Sequence, residues 1–262
     1  MRTLLTAALL GMAVTATAGG AAAQDFNWHG RIAAGRRLEV KGVNGDVRAV
    51  AVRSGTEAVV RATKRAEDSD PEEVKIEVIE DSGGVTICAV YPTPRRARRE
   101  NSCQVGDEWH SSTENNDVKV HFDVQVPAGV LFHGQTVNGE MSAEGMTADT
   151  KASTVNGSVR VTTTGLAEAS TVNGSVYVEM GKANWSDELE FSTVNGGITL
   201  ILPASLSTEV RASTVNGEME SDFPMTVSGR FGPRRWRGVI GNGGRYLNLS
   251  TVNGEIRLRK GT

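Results

Sequence analysis

Two short stretches carry side chains suited to holding a ligand. Residues 229–238 read Gly-Arg-Phe-Gly-Pro-Arg-Arg-Trp-Arg-Gly, so that Arg230, Arg234, Arg235 and Arg237 interleave with Phe231 and Trp236. Arginine beside aromatic rings holds anionic or sugar groups through ion pairs, stacking and cation–π contacts. The same stretch would also serve as a loop folded back to plug the end of a core, with Trp236 inside. Residues 94–100 place Arg95, Arg96, Arg98 and Arg99 within five positions. That run suits phosphate, an anionic polysaccharide or an acidic partner, and it is equally an ordinary composition for a solvated loop tip.

Catalytic arrangements are not evident. His29, His110, His121 and His133 form no His-Glu-x-x-His, and neither a Gly-x-Ser-x-Gly elbow nor a P-loop occurs. Cys88 and Cys103 lie 15 residues apart with no Cys-x-x-Cys and no histidine close in sequence, which argues against redox or metal chemistry and for a disulfide. No metal, no cofactor and no catalytic residue is expected. The net charge of −3 excludes a globally basic nucleic-acid binder.

The elements that must position these stretches are set by a repeated phrase. Ser-Thr-Val-Asn-Gly stands at residues 153–157, 170–174, 192–196, 213–217 and 250–254, with Gln135-Thr136-Val137-Asn138-Gly139 a near copy and Val43-Asn44-Gly45 an outlier upstream. From Asn138 the marker recurs at Asn156, Asn173, Asn195, Asn216 and Asn253, in steps of 18, 17, 22, 21 and 37. The last step is about twice the others, which implies a degenerate turn or an inserted loop. A unit of this length marks a solenoid or array. Apolar and polar residues alternate on both sides of each Asn-Gly, as in Leu189/Phe191 before and Ile198/Leu200 after, the pattern of half-buried strands. The buried parity slips by one residue across Asn-Gly, so the chain must bend there.

Two folds satisfy that bend. In a β-meander each Asn-Gly is a hairpin turn, with Thr154 facing Val159. In a β-solenoid each is a corner, and coils stack in parallel about 4.8 Å apart. Hairpin chemistry gives no reason for an identical Ser-Thr-Val before the turn, whereas stacking sets each residue on its own copy. A ladder of asparagines then satisfies each amide from its neighbour, sparing the roughly 1–3 kcal/mol that a buried unpaired amide costs. The position after Asn-Gly reads Glu140, Ser158, Ser175, Gly197, Glu218 and Glu255. On this reading the acids do not fall on adjacent repeats, so a glycosidase pair is not expected.

Residues 1–23 have the form of a secretory signal: Arg2, an apolar run and Ala21-Ala22-Ala23 before Gln24. The run is too short for a membrane anchor, and no later segment is apolar enough to span. Residues 24–134 are strand-rich without a clean repeat. They are expected to form an antiparallel cap on the repeat solenoid of residues 135–262, since an open terminal coil exposes unpaired strand edges.

Ser-Thr-Val-Asn-Gly followed by x-Ile/Val, behind a signal and an irregular strand-rich half, resembles the bacterial putative-adhesin family, built on a strand-repeat domain of unknown function and similar to autotransporter-adhesin head domains. The resemblance covers residues 38–258. It implies an all-β, right-handed single-stranded β-helix in the bacterial envelope, in the periplasm, at the surface or outside the cell, and supplies no catalytic residues. The expected function is non-enzymatic binding of an envelope glycan, polymer or protein. The alternatives are a carbohydrate-active enzyme on a β-helix and an envelope-stress regulatory component.

Overall fold

The computed structural model describes residues 25–53, 55–106, 109–186, 188–227 and 235–261. In chain order the first strands are β1 (Asp25–Arg31), β2 (Arg37–Lys41), β3 (Val47–Val52), β4 (Glu57–Arg65), β5 (Lys75–Asp81), β6 (Gly84–Val90) and β7 (Lys119–Pro127). The chain then proceeds two strands at a time. These are β8 (Leu131–Gln135) with β9 (Met141–Met146), β10 (Thr150–Ser153) with β11 (Val159–Thr163), and β12 (Ala167–Ser170) with β13 (Val176–Met180). Next come β14 (Glu188–Ser192) with β15 (Ile198–Leu202) and β16 (Thr208–Ser213) with β17 (Met219–Ser221). The last four are β18 (Met225–Val227), β19 (Arg235–Ile240), β20 (Tyr246–Ser250) and β21 (Ile256–Lys260).

The strand before each Asn-Gly lies in an eleven-stranded sheet and the strand after it in a ten-stranded one. Hairpins are thereby overturned: β10 pairs in parallel with β8 and β12, and β11 in parallel with β9 and β13. Asn-Gly is a corner between two sheets of a β-solenoid-like fold. The period-two pattern sends Leu189, Phe191, Ile198 and Leu200 into the space between the sheets, where each is at most 3% exposed. Full burial of such a side chain contributes about 1.5–3 kcal/mol, and the corner's parity slip is what lets both strands face the same core.

Within the repeated phrase, each residue has a separate fate. The asparagines form the expected ladder, bridged rung to rung in the order Asn44, Asn138, Asn156, Asn173, Asn195, Asn253, Asn216. Each Nδ2 donates to the preceding Oδ1 at 2.7–2.8 Å. The ladder runs along the surface, not through the core as the burial argument had it, and no repeat asparagine has a positive φ. The buried polar ladder is threonine. Thr136, Thr154, Thr171, Thr193, Thr251 and Thr214 are 1–6% exposed, and each donates its hydroxyl to the glycine carbonyl of the adjacent rung at 2.8–3.0 Å. The glycines are required chiefly by close approach: a Cβ at Gly174 would lie 2.0 Å from the carbonyl oxygen of Gly157.

Rung order in space departs from chain order at both ends. The rung of β2 and β3 lies between that of β6 and β7 and that of β8 and β9. The last rung, β20 and β21, is inserted between β14/β15 and β16/β17. Val43-Asn44-Gly45 is therefore an integral corner and not an isolated one. The inserted loop implied by the double step contains the outer strands of the C-terminal end: β19 lies antiparallel on β16 and β18 on β19. At the other end, antiparallel pairing is confined to β1–β4–β7 and β5–β6, while β2, β3, β6 and β7 join the parallel stack.

Candidate binding face

Strand alternation turns every second residue of the eleven-stranded sheet outward, and parallel register lines these residues up across the rungs. One row is serine: Ser153, Ser170, Ser192, Ser250 and Ser213 stand side by side, ending at Arg235. The row two residues upstream reads Lys151, Glu168, Glu190, Asn248, Arg211 and Arg237, with Ala169 on Phe191 setting Glu168 beside Glu190. The small serine side chains leave a trough beside the longer row. It consists of three adjoining depressions of about 240, 240 and 300 Å3, which share Lys151, Glu168 and Glu190 as common walls.

The trough is chemically graded. Acidic side chains occupy its middle, and Arg211, Arg235 and Arg237 gather at the end formed by β16 and β19. The Arg211 guanidinium lies 3.7 Å from the centre of the Tyr246 ring, a cation–π contact that fixes its position. On the floor of this end, buried Asn248 Oδ1 accepts no hydrogen bond from the protein.

At the opposite end the sheet is covered by residues 91–106 and 109–117. The Cys88–Cys103 disulfide pins this strap to β6, as expected. Beneath it, Lys41 is fully buried and Glu39 is 4% exposed. Lys41 Nζ lies 3.3 Å from Glu39 Oε1 and donates to the carbonyls of Gln104, at 2.7 Å, and Gly106. Glu39 Oε2 accepts from Thr86 Oγ1 at 2.9 Å and from the Gly106 N–H at 3.1 Å. Asn101 ties the strap to itself through Tyr91 and Ser112. The pair is thus shielded from water yet hydrogen-bonded, the condition under which buried charges are tolerated.

The ligand-binding residues singled out in the sequence are distributed over three places. Arg95, Arg96, Arg98 and Arg99 are exposed on the strap, away from the trough's arginine end. Arg235, Trp236 and Arg237 all border the trough, and the half-buried Trp236 also packs against the hydrophobic core. Arg230, Phe231 and Arg234 lie outside the described residues, as does the signal segment. Arg211, Tyr246, Asn248, Glu168 and Glu190 were missed. For all but Tyr246, which stands four before Ser250, the signal was present two residues before the serine of each repeat, a column that reads Lys, Glu, Glu, Arg, Asn.

The expectation that acids avoid adjacent repeats is also corrected. The inserted last rung sets Ile256 on Met219 and so brings Glu255 beside Glu218, and Glu168 adjoins Glu190. In both cases the two carboxylates rise from the same face of one sheet. Among the described residues, no group of three or more His, Cys, Asp and Glu is placed to hold a metal, and no helix is long and apolar enough to cross a membrane.

A protein-family profile described as Toastrack DUF4097 matches residues 38–259. Among solved structures, the chain is similar to a putative cell adhesion protein from Clostridium sporogenes ATCC 15579, with 11% identity, 91% of this chain and 100% of that chain covered, and a TM-score of 0.46. It is also similar to a putative adhesin from Bacteroides fragilis NCTC 9343, with 10% identity, 90% and 97% covered, and a TM-score of 0.30. No curated protein matches the chain in sequence.

Proposed function

The chain belongs to the Toastrack DUF4097 family, and from that premise we propose that it is an exported, non-enzymatic scaffold of the bacterial cell envelope. Its trough binds an anionic envelope polymer or glycan at the end lined by Arg211, Arg235 and Arg237. The observation that carries this reading is the meeting of these three arginines in one depression of about 300 Å3. Guanidinium groups recognise carboxylate or phosphate, and the acidic middle of the trough confines the negative groups to the arginine end. We read the coil as a right-handed single-stranded β-helix. A disulfide suits a chain that folds in an oxidising compartment, and residues 1–23 have the form of a cleaved export signal.

Fractionation of cells followed by N-terminal sequencing tests export; a cytosolic protein retaining Met1 would end that part of the proposal. Co-sedimentation with isolated envelope tests binding. Arg211→Ala combined with Arg235→Ala and Arg237→Ala should release the protein, with a steep salt dependence in the wild type. Retention unchanged by the triple substitution would overturn the site. Polysaccharide cleavage lost in Glu168→Gln or Glu190→Gln would replace the scaffold with an enzyme.

A further inference from the structure

One residue of the repeated phrase has no task in the fold. Val155, Val172, Val194, Val252 and Val215 are 37–50% exposed, and among the described residues only Val50 and Val105 are other large apolar side chains so exposed. Apolar exposure is therefore concentrated in one row, not scattered singly as on an ordinary surface. Direct backbone bonds join the five, each N–H donating to the previous valine carbonyl at 3.1–3.3 Å, so they stand in register along the corner. Val137 at the next rung is half-buried and Val43 is covered.

The chemistry beside the row is uniform. The asparagine ladder runs along one side, and each amide within it, up to the terminal Asn216, commits one N–H and one lone pair to its neighbours. By its donor and acceptor inventory it keeps one further N–H and one further lone pair. The three consecutive rungs at Asn156, Asn173 and Asn195 carry no charge from the serine that opens the phrase to the residue after its glycine. Acids bound this neutral window, Glu140 on one side and Glu255 and Glu218 on the other. An anionic chain would be repelled at both limits.

We propose that this corner is a binding site for an uncharged glycan strand lying along the solenoid axis. The CH faces of the sugar rings would rest on valine methyls while ring hydroxyls meet the asparagine amides. Five rungs about 4.8 Å apart span about 19 Å, a strip one side chain wide. That is far short of the roughly 800 Å2 per partner of a stable protein interface, but it suits a single linear polymer whose sugars advance by a similar step. This site adjoins the trough, two residues beyond its serine row, and takes a different ligand class.

Depletion from solution by suspended microcrystalline cellulose and by chitin, with dextran-sulfate beads as the charged comparison, tests the proposal. The wild type should be retained on at least one uncharged matrix, and Val172→Asp with Val194→Asp should weaken retention tenfold or more. Arg235→Ala with Arg237→Ala should leave it unchanged while weakening capture on dextran sulfate, so that failure of this site and failure of the trough are told apart. Thermal melting verifies the fold of each variant, and Val172→Thr with Val194→Thr, which keeps the branched shape, carries the test if the aspartates misfold. Absence of retention on both uncharged matrices, or retention indifferent to the valines, overturns the assignment. So does a wild-type dimer that Val172→Asp dissociates, which would make the row a self-contact.

Discussion

Thr171 donates its buried hydroxyl to the carbonyl oxygen of Gly157 at 2.8 Å, and the same oxygen would lie 2.0 Å from any Cβ placed at Gly174. One carbonyl thus explains two letters of the repeat: threonine because it needs a donor, and glycine because nothing larger fits. Gly174→Ala should force neighbouring rungs apart and destabilise by several kcal/mol, in the upper range of single substitutions. Thr171→Val keeps the shape and removes the donor, and should cost about 1–2 kcal/mol. Urea denaturation followed by far-ultraviolet circular dichroism measures both, and equal effects would contradict the distinction.

The asparagine ladder should respond by position. Asn195 bonds to Asn173 on one side and Asn253 on the other, whereas Asn216 ends the ladder with a single partner, Asn253. At a solvated surface each bond contributes at the low end of about 0.5–1.5 kcal/mol. Asn195→Ala is expected to cost about twice as much as Asn216→Ala, read from the same denaturation curves.

The strap makes Lys41 dependent on its partners. Lys41→Met leaves Glu39 with the Arg37 guanidinium, its Nε 3.5 Å from Oε2, as the remaining cation, so the loss should lie at or below the low end of about 3–5 kcal/mol. Lys41→Met combined with Glu39→Leu removes both charges and should recover most of that loss. Cys88→Ser with Cys103→Ser should cost about 3 kcal/mol for a loop of this length. It should also change the fluorescence of Trp109, which lies 6.0 Å from Lys41 Nζ. A double variant no more stable than Lys41→Met alone would refute the pairing account.

Acid should loosen the junction at Asp117. Hydrogen bonding from the Ser69 side chain, and then from the backbone N–H groups of Glu67, Ser69 and Asp68, holds this carboxyl well below the usual carboxylate range. A depressed folded-state value means that the unfolded chain takes up the proton first as pH falls. The stabilisation is present above the ordinary carboxylate value and is lost as pH falls through that value towards the folded one. The melting temperatures of wild type and Asp117→Asn should differ at neutral pH and converge in acid; a gap that widens on acidification would reverse the sign.

Parallel stacking was legible because identity beyond the turn residues has no other cause: Ser-Thr-Val recurs where a hairpin would need only Asn-Gly. The asparagine ladder and the disulfide were legible for similar reasons, one from repetition and the other from the isolation of Cys88 and Cys103 in a chain whose residues 1–23 read as an export signal. The order of rungs was not. Nothing local to Tyr246–Lys260 states that it pairs between β14/β15 and β16/β17, because pairing across a stack is a non-local choice made by core shape. That hidden insertion is why Glu218 and Glu255 were read as separated. The trough was missed because attention fell on the residue after Asn-Gly, whereas the outward column lies two before the serine. Proximity between rungs accounts for the glycines better than backbone freedom does, a fact visible only when the neighbouring carbonyl is in place.

Intercalation at both termini gives the molecule the logic of an arch closed by its keystone. A β-helix wound strictly in chain order can begin to condense at one end while its tail is still being synthesised. Here the slot between Phe191 and Ala212 must remain open, or be reopened, until Leu247 and Leu249 arrive to fill it. Nascent chains halted before Tyr246 should therefore remain protease-sensitive from β14 onward.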